Sequence, residues 1–350
     1  MLNKTLKGVA AVAVALGMAG AAQAGSHSDM VDGPAVTWNH SIWGKPRAYT
    51  AGLEYIVAEL DRRTGGKFQY KLSYGGLSKP RENLDGIQLG AFEAANFCNF
   101  YSPEKTPSSM IFSLPFLPIG DSDVRIMASD AYYPNPHFKK EMAVWNSMIY
   151  MAGILPQYEF LGRGKPPKSL EDWKGMRVRA GGGVAKAMEK LGATLMTVPA
   201  TEVYTLLERG TVDAVSFPYT YAHAAYKVNE VATWFTGNFQ PGTADCPTVF
   251  NIDAWNALPK QYQDLLMELK TTAYDKMREA YEAADKVNIP MFQSQLTEIR
   301  FTPEELAMFR KEIGEPLWKE AFVDAYGGKI PAQELLDFLL AEADKAAAGN

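Results

Sequence analysis

The chain has 350 residues, of which 47% are hydrophobic and 21% charged, the composition of an ordinary globular protein. Its 35 basic and 40 acidic residues give a net charge of −5, which excludes a broad electrostatic footprint for nucleic acid or anionic lipid. A site for an anion would therefore have to be local and act against the overall charge.

The first 24 residues have the pattern of a secretory signal peptide. Lys4 and Lys7 precede an apolar run from Gly8 to Gly17 that is too short to span a bilayer, and Ala22-Gln23-Ala24 has the small-x-small form that signal peptidase cleaves. The alternative is a frayed amphipathic N-terminus. No later run of roughly 18 apolar residues occurs. We therefore expect a mature chain with a net charge of −7 that is exported and released and does not span the membrane.

The mature part opens with segments in βαβαβ order, which predicts a mainly parallel sheet flanked by helices. Gly65 and Gly66 stop the first helix, and Pro80 suits the first turn of the second. The predicted strands are 35–40, 68–74 and 90–97, and the predicted helices are 46–63 and 79–89.

The same order recurs about 120 residues later, with strands at 176–180, 194–198 and 210–217 and helices at 184–191 and 201–209. Thr201 is placed to cap the second of these helices. The segment 90–97 (Gly-x-x-Glu-Ala-x-Asn-Phe) has the same form as 210–217 (Gly-x-x-Asp-Ala-x-Ser-Phe). We interpret the repeat as two homologous α/β lobes, with chance similarity as the alternative. Glu93 and Asp213 occupy equivalent places, which indicates a shared scaffold role.

The C-terminal third is predicted to be helical. Apolar residues from Leu265 to Met277 recur with helical spacing inside a long segment from Pro259 to about Val287. Shorter helices follow at 301–309, where Thr302-Pro-Glu-Glu305 forms a capping box, and at 331–347. We expect the long helix to span both lobes. The expected division is 1–24 signal peptide, 25–156 plus 245–284 for the first lobe, and 157–244 plus 285–350 for the second.

Ligands of open parallel sheets bind beyond the carboxyl ends of the strands, so residues that follow the strands are candidates for a shared cleft. The alternative for the large aromatic residues among them is burial in the core. The candidates are Trp38, Asn39, His40, Asn96, Phe97, Arg179, Ser216, Phe217, Tyr219 and Tyr221, with Trp43 and Tyr101 as further aromatic lining.

The segment from Lys174 to Gly183 carries the strongest candidate for anion binding. Arg177 and Arg179 are two residues apart on one predicted strand and therefore project to the same face, and three glycines lead on into the next helix. A guanidinium together with free N–H groups at a helix N-terminus would form a carboxylate receptor. The alternative is a surface arginine followed by a flexible turn.

Several motifs resemble the DctP-type solute-binding proteins of tripartite ATP-independent periplasmic (TRAP) transporters. They include 169–179 (SLEDWKGMRVR), Leu191-Gly-Ala193 and the pattern from Pro199 to Asp213, and the resemblance extends over essentially the whole mature chain. It implies a two-lobed periplasmic binding protein that captures organic acids, mostly carboxylates. Such proteins deliver the ligand to a small and a large membrane subunit that an ion gradient drives. The carboxylate-binding arginine of the family falls on Arg179.

Two departures from the family pattern bear on the ligand. Many relatives have Glu-Asn-Pro where this chain has Ser216-Phe217-Pro218, so sialic acid and C4-dicarboxylates are disfavoured, and Ser216 replaces an acidic metal ligand of the keto-acid branch. The second basic residue of some relatives has no clear match, since Glu159 lies near its expected place, with Arg163 and Lys165 close by. We expect a monocarboxylate with an apolar or aromatic body, such as a keto acid or an aromatic acid, with a sulfonate as the alternative. We expect no metal or other cofactor.

Two other classes of protein are alternatives. An ABC-type binding protein for an organic anion shares the two-lobed plan. An exported hydrolase or lyase is disfavoured because no nucleophile elbow, zinc motif or Walker loop occurs, although His40 and His223 could act as bases. One possible bridge does not make a disulfide framework, so we expect Cys98 and Cys246 to be two buried free thiols, with a disulfide between them as the alternative. We expect the protein to be a monomer.

Overall fold

The computed structural model describes residues 29–349, so the expected signal peptide (1–24) and the last residue lie outside the described part of the chain. Two β-sheets are flanked by helices. The strands are β1 (Val36–Ile42), β2 (Phe68–Tyr74), β3 (Ala94–Asn96), β4 (Ser147–Met151), β5 (Tyr158–Gly162), β6 (Arg177–Arg179), β7 (Thr194–Met196), β8 (Ala214–Pro218), β9 (Trp234–Thr236), β10 (Thr248–Asn251) and β11 (Thr297–Ile299). The helices are α1 (Ala51–Thr64), α2 (Asn83–Gln88), α3 (Ser122–Tyr132), α4 (Pro136–Val144), α5 (Gly182–Lys190), α6 (Val203–Glu208), α7 (Tyr221–Ala225), α8 (Ile252–Ala257), α9 (Lys260–Gln295), α10 (Pro303–Phe309), α11 (Pro316–Trp318) and α12 (Ala332–Gly349).

Each sheet contains the parallel unit that the sequence predicts. In the first sheet, of order β2-β1-β3-β10-β4, strand β1 runs parallel to β2 and β3. In the second, of order β11-β9-β5-β8-β6-β7, strand β6 runs parallel to β7 and β8. Antiparallel strands extend both units, since β10 joins the first sheet and β5 the second from distant parts of the chain. The α/β fold is confirmed, with mixed rather than uniformly parallel sheets.

The two lobes repeat each other in detail. Gly90 and Gly210 both adopt left-handed backbone conformations, with φ of 66° and 65°, before β3 and β8. Glu93 then accepts a hydrogen bond from the backbone N–H of Asn39 at 2.7 Å, and Asp213 accepts one from that of Arg177 at 2.8 Å. Each acid thus ties the start of its own strand, β3 or β8, to the neighbouring parallel strand, β1 or β6. The shared scaffold role predicted for them is confirmed.

The long helix α9 contacts elements of both lobes. It packs on α1 beside the first sheet, and on α7 and β11 beside the second. Gly52 in α1 makes this approach possible, because a Cβ at that position would lie 2.5 Å from the carbonyl oxygen of Ala273. The helix also continues through Pro290 to Gln295, beyond the predicted end.

The chain crosses between the sheets three times, at 152–157, at 237–247 and along α9. We keep the lobe boundaries expected from the sequence as a proposal, supported by the strands, which divide between the sheets in the same way. Helix α12 is the exception, because it packs on α3, which that division assigns to the other lobe. Within residues 29–349, no helix is both long and apolar enough to cross a membrane.

Two expectations about individual residues are wrong. Cys98 and Cys246 are not free thiols but form a disulfide. Strands β3 and β10 are antiparallel neighbours, and their pairing continues past Cys98 through a 3.0 Å bond from Asn99 N–H to the carbonyl of Asp245, so the two cysteine Cα atoms lie 4.0 Å apart. Thr201 does not cap a helix, since α6 begins at Val203 after a 3₁₀ turn and has no side-chain cap.

Candidate functional site

A cavity lies between the two lobes and is lined by residues of both. The volume inside it that is open to the centre of a water molecule is about 30 Å³. A single water needs on the order of 10–15 Å³ by this measure, so the space suits a small molecule. The first lobe contributes Trp43, Arg47, Tyr49, Cys98, Phe100, Tyr101, Leu155 and Cys246, and the second contributes Tyr158, Arg179, Ala200, Phe217, Pro218, Tyr221, Ala222 and Tyr226.

Aromatic rings form most of the cavity wall. Phe217 stacks on Tyr226 with ring centroids 5.3 Å apart, and on the opposite lobe Trp43 stacks on Tyr49 at 6.3 Å. Tyr101 reaches across the cleft, where its hydroxyl accepts a 3.0 Å hydrogen bond from the backbone N–H of Ala200. The wall therefore offers flat apolar surface on both sides, as a pocket for a planar organic body requires.

Arg179 ends β6 with its side chain buried at 1% exposure. Its Nε and Nη2 donate to the carbonyl oxygen of Val198 at 3.2 and 2.6 Å, and Nη1 donates to that of Ser216 at 2.9 Å. The guanidinium lies over the Phe217 ring, 4.9 Å from its centroid. Of its five N–H groups, the contacts in the described part of the chain engage three. Two donors stay available at the cavity.

Arg47 is a second cavity cation, and the sequence analysis missed it. Its Nη1 donates to the carbonyl oxygens of Trp43 at 2.9 Å and Lys45 at 2.8 Å, and its guanidinium lies 5.1 Å from the ring centroid of Tyr49 and 5.8 Å from that of Tyr226. The sequence pattern predicts Arg47 in the first turn of a helix, but α1 begins at Ala51 after a 3₁₀ turn. The sequence holds no signal that this arginine turns toward the cleft.

The cavity is electropositive despite the acidic chain. Among the described residues that line it, two are arginines and none is an aspartate or glutamate. Two guanidinium groups in a largely apolar enclosure attract a negatively charged ligand, and a carboxylate can accept their hydrogen bonds. The arrangement is suited to binding a small organic anion.

Only part of the candidate set lines the cavity. The structure brings together Arg179, Phe217 and Tyr221, and also the two further aromatic candidates Trp43 and Tyr101. Tyr49, Phe100, Tyr158 and Tyr226 line it as well and were not predicted. They come from loops and from β5, whose place beside β8 depends on long-range strand pairing that local sequence patterns do not encode.

Three candidates lie behind the lining residues and hold them in place. His40 is fully buried and contacts the Tyr70 hydroxyl through Nδ1 at 2.8 Å and the Asn96 side-chain oxygen through Nε2 at 2.7 Å. Asn96 in turn donates to the hydroxyl of Tyr49, which lines the cavity. Burial lowers the pKa of His40 to about 4, so the ring is neutral. Ser216 accepts from Arg179 through its carbonyl oxygen.

The remaining candidates lie away from the cavity. Trp38 is a core residue that packs edge-on against Phe68 and Phe250, and Phe97 belongs to the same core. Asn39 is fastened to Glu93, and Tyr219 stacks on Phe235 inside the second lobe. Arg163 donates at 3.0 Å to the carbonyl oxygen of Leu207, near the C-terminal end of α6. A cation there also interacts favourably with the negative end of the helix dipole.

The glycine run has a packing role that the sequence did not predict. Gly182 and Gly183 border a neighbouring groove and do not line the cavity. A Cβ at Gly181 would lie 2.2 Å from Phe100, and one at Gly183 would lie 2.5 Å from the carbonyl oxygen of Ser113. The glycines therefore allow the two lobes to pack closely, and a contribution of their N–H groups to a carboxylate receptor stays a prediction.

Glu159 is a buried carboxyl group on β5, next to the lining residue Tyr158. It accepts hydrogen bonds from the Thr236 hydroxyl and from the backbone N–H groups of Phe239 at 3.1 Å and Gln240 at 3.3 Å. Burial raises the pKa of Glu159 to about 8, and these hydrogen bonds offset only part of that effect. The group holds the start of the 237–247 crossing. Over the described residues, no three His, Cys, Asp or Glu side chains group so as to hold a metal ion.

Comparison with known proteins assigns this architecture to a family. The family model "Bacterial extracellular solute-binding protein, family 7" (DctP) matches residues 40–324, and the chain belongs to that family. A relative in Nostoc sp., named a monocarboxylate 2-oxoacid-binding periplasmic protein, is 27% identical over 262 residues, which are 71% of this chain and 69% of the relative.

Solved structures agree with this assignment at the level of the fold. A TRAP solute-binding protein from Rhodoferax ferrireducens T118, in complex with copurified benzoate, superposes with a TM-score of 0.79 at 18% identity, covering 89% of this chain and 99% of that one. A TRAP periplasmic solute-binding protein from Desulfovibrio salexigens with bound orotic acid gives 0.77 at 20% identity, with the same coverage. The family consists of transport components that bind solutes without transforming them, so the expectation of a non-enzyme is confirmed.

Proposed function

We propose that this protein is the periplasmic subunit of a TRAP transporter and that it captures a small organic acid between its lobes. It then delivers the acid to a small and a large membrane subunit. The observation that carries the proposal is Arg179, a buried guanidinium with two unengaged N–H groups at a cavity without a carboxylate among its described lining residues. Family membership and the low-dielectric setting, in which an Arg–carboxylate pair is strong, support it.

The proposed ligand is a monocarboxylate with an apolar or aromatic body, such as a keto acid or an aromatic acid. The stacked rings of Phe217 and Tyr226 and of Trp43 and Tyr49 offer surface to such a body. The relative named for 2-oxoacid binding and the neighbour solved with benzoate support the same ligand class. Phe217 has no polar group to hold a second carboxylate, so a dicarboxylate would depend on Arg47 for its second group.

A thermal-shift screen of the mature protein against keto acids, aromatic acids, sulfonates, sugars, amines and peptides tests the ligand class. A ligand at a hundredfold excess over its Kd stabilises the folded state by about 2.7 kcal/mol, which is a readily measured shift. We expect carboxylates to give the largest shifts. The proposal is wrong if only sugars, amines or peptides raise the melting temperature.

Replacement of Arg179 tests the site. Arg179→Ala removes a charge-assisted pair, so we expect affinity for the best acid to fall about a hundredfold or more by isothermal titration calorimetry. Arg177→Ala is the matched control, because Arg177 pairs with Asp213 on the surface and does not line the cavity. Wild-type affinity in the Arg179 variant would place the site elsewhere.

A further inference from the structure

We infer that Arg81, a residue of the first lobe that lies outside the cavity, is a positioning residue that prolongs retention of the bound acid. It holds the 197–200 loop of the second lobe, and this loop in turn orients Arg179. The inference rests on the proposed function, because retention can be measured only if the cavity binds an acid. It gives a role in binding to a residue that does not line the cavity.

The 197–200 loop (Thr-Val-Pro-Ala) follows β7 and orients the proposed carboxylate-binding group. The carbonyl oxygen of Val198 accepts hydrogen bonds from both Nε and Nη2 of Arg179, so it fixes the direction of that guanidinium. Pro199 locks its own φ, at −55°, and restricts the backbone of Val198, which makes the loop stiff. Displacement of either end of the loop would therefore move the carbonyl group that orients Arg179.

The first lobe holds both ends of this loop. Nη2 of Arg81 donates to the carbonyl oxygen of Thr197 at 3.0 Å, and Nη1 donates to the carbonyl oxygen of Tyr101 at 2.7 Å. The hydroxyl of Tyr101 accepts a 3.0 Å hydrogen bond from the backbone N–H of Ala200. The Arg81 guanidinium thus binds one end of the loop directly and also binds the tyrosine that holds the other end.

Contacts inside the first lobe hold Arg81 in place. Its carbonyl oxygen accepts from the ammonium group of Lys105 at 3.3 Å, and Lys105 also pairs with Asp85 on α2. Arg81 lines the groove beside the cavity and not the cavity itself, so it acts on the acid only through the loop and Arg179. The bond from Arg81 to Thr197 joins the two lobes, so separation of the lobes would break it.

A bond between the lobes affects departure of the acid more than its arrival. In the proposed function an acid enters while the lobes are apart and leaves when they separate again, so such a bond slows the second step. Loss of Arg81 should therefore raise the dissociation rate constant and leave the association rate constant nearly unchanged. A purely structural role inside the first lobe would instead lower the melting temperature of the ligand-free protein.

Stopped-flow fluorescence on the mature protein measures both rate constants, because Trp43 lines the cavity and its emission reports on occupation. The probe is pyruvate or benzoate, whichever raises the melting temperature of the wild-type protein more. We expect Arg81→Ala to increase the dissociation rate constant about tenfold, with the association rate constant within about twofold of wild type. Arg81→Lys keeps the charge but lacks the planar fork that bonds to two separate carbonyl groups, so we expect an increase of about threefold. The melting temperature of both ligand-free variants should stay within about 2 °C of wild type.

Arg62→Ala is the matched control, because Arg62 is an exposed arginine of the same lobe that pairs with Asp29 and Glu59. It removes the same charge and should leave both rate constants unchanged. A wild-type dissociation rate in Arg81→Ala, an equal increase in Arg62→Ala, or a change confined to the association rate constant would overturn the inference and leave acid binding through Arg179 intact. Acid binding that persists in Arg179→Ala, or a wild-type protein that binds neither probe, would instead overturn the proposed function and this inference with it.

Discussion

At the scale of single residues, Glu159 is buried beside the cavity but does not line it. Glu159 follows the lining residue Tyr158 in the chain. Its carboxyl group is hydrogen-bonded to Thr236, Phe239 and Gln240, which do not line the cavity. Its hydrogen bonds hold the start of the 237–247 crossing between the lobes. Because its pKa is raised to about 8, the group is largely protonated at neutral pH.

Glu159 therefore predicts a pH dependence of stability. Its folded-state pKa lies above the usual value of 4.5, so the native state binds the proton more tightly than the unfolded chain. The stabilisation is complete below about pH 4.5 and is lost as the pH rises toward 8, by at most about 1.4 kcal/mol per pH unit. Glu159→Gln removes this titration. We expect wild-type protein to lose melting temperature relative to Glu159→Gln between pH 5 and pH 8. A constant difference between the two would contradict this.

Residues also mark the limit of what the sequence could predict about the site. Arg179 was predictable because strand alternation and a following glycine run placed it at the end of a strand. Arg47 was not, because it precedes a short 3₁₀ turn before α1, held by hydrogen bonds between Arg47 and Thr50, where the sequence pattern predicts a continuous helix. His40 and Asn96 were placed near the cleft but serve to position Tyr49.

At the scale of elements, the sequence predicts the helices and strands that have a regular hydrophobic periodicity or clear turn residues at their ends. Both βαβαβ units, the long helix and the capping box of α10 were predicted from periodicity and turn residues. Strands β4, β5, β9 and β10 were not, since they are short and buried and their place in a sheet is set by partners far along the chain. The disulfide was missed for the same reason: only the pairing of β10 with β3 brings Cys246 to Cys98.

Two threonines that looked alike in sequence provide a test of helix capping. Thr302 accepts a hydrogen bond at 3.2 Å from the backbone N–H of Glu305, whose side chain accepts from Thr302 N–H at 2.9 Å. Thr302→Ala should destabilise the protein by about 1 kcal/mol in urea unfolding. Thr201→Ala is the control, because Thr201 is exposed and caps no helix, and it should have little effect. Equal losses in both variants would mean that capping is not the cause.

At the scale of the whole molecule, the close approach of the lobes requires glycine at certain positions. Gly181 has an extended backbone, with φ −140° and ψ 161°, so alanine is compatible with its conformation. Its place against Phe100 of the other lobe is not compatible, since the added Cβ would lie 2.2 Å from a ring that is itself buried. The contact is between the lobes, so separation of the lobes would remove the clash. We therefore expect the glycine to be needed for the close lobe contact rather than for folding of its own lobe.

Gly181→Ala should therefore weaken ligand binding and spare the unliganded fold. Overpacking typically costs roughly 1–3 kcal/mol, so we expect affinity for the best acid to fall about ten- to a hundredfold by calorimetry. The far-UV circular dichroism spectrum and the melting temperature without ligand should stay close to wild type, because open lobes avoid the clash. Gly328→Ala is the control, since a Cβ there meets nothing within 4 Å. Wild-type affinity in Gly181→Ala would mean that ligand is held without the close lobe contact seen in this structure, and the cavity residues of the two lobes would then not act together.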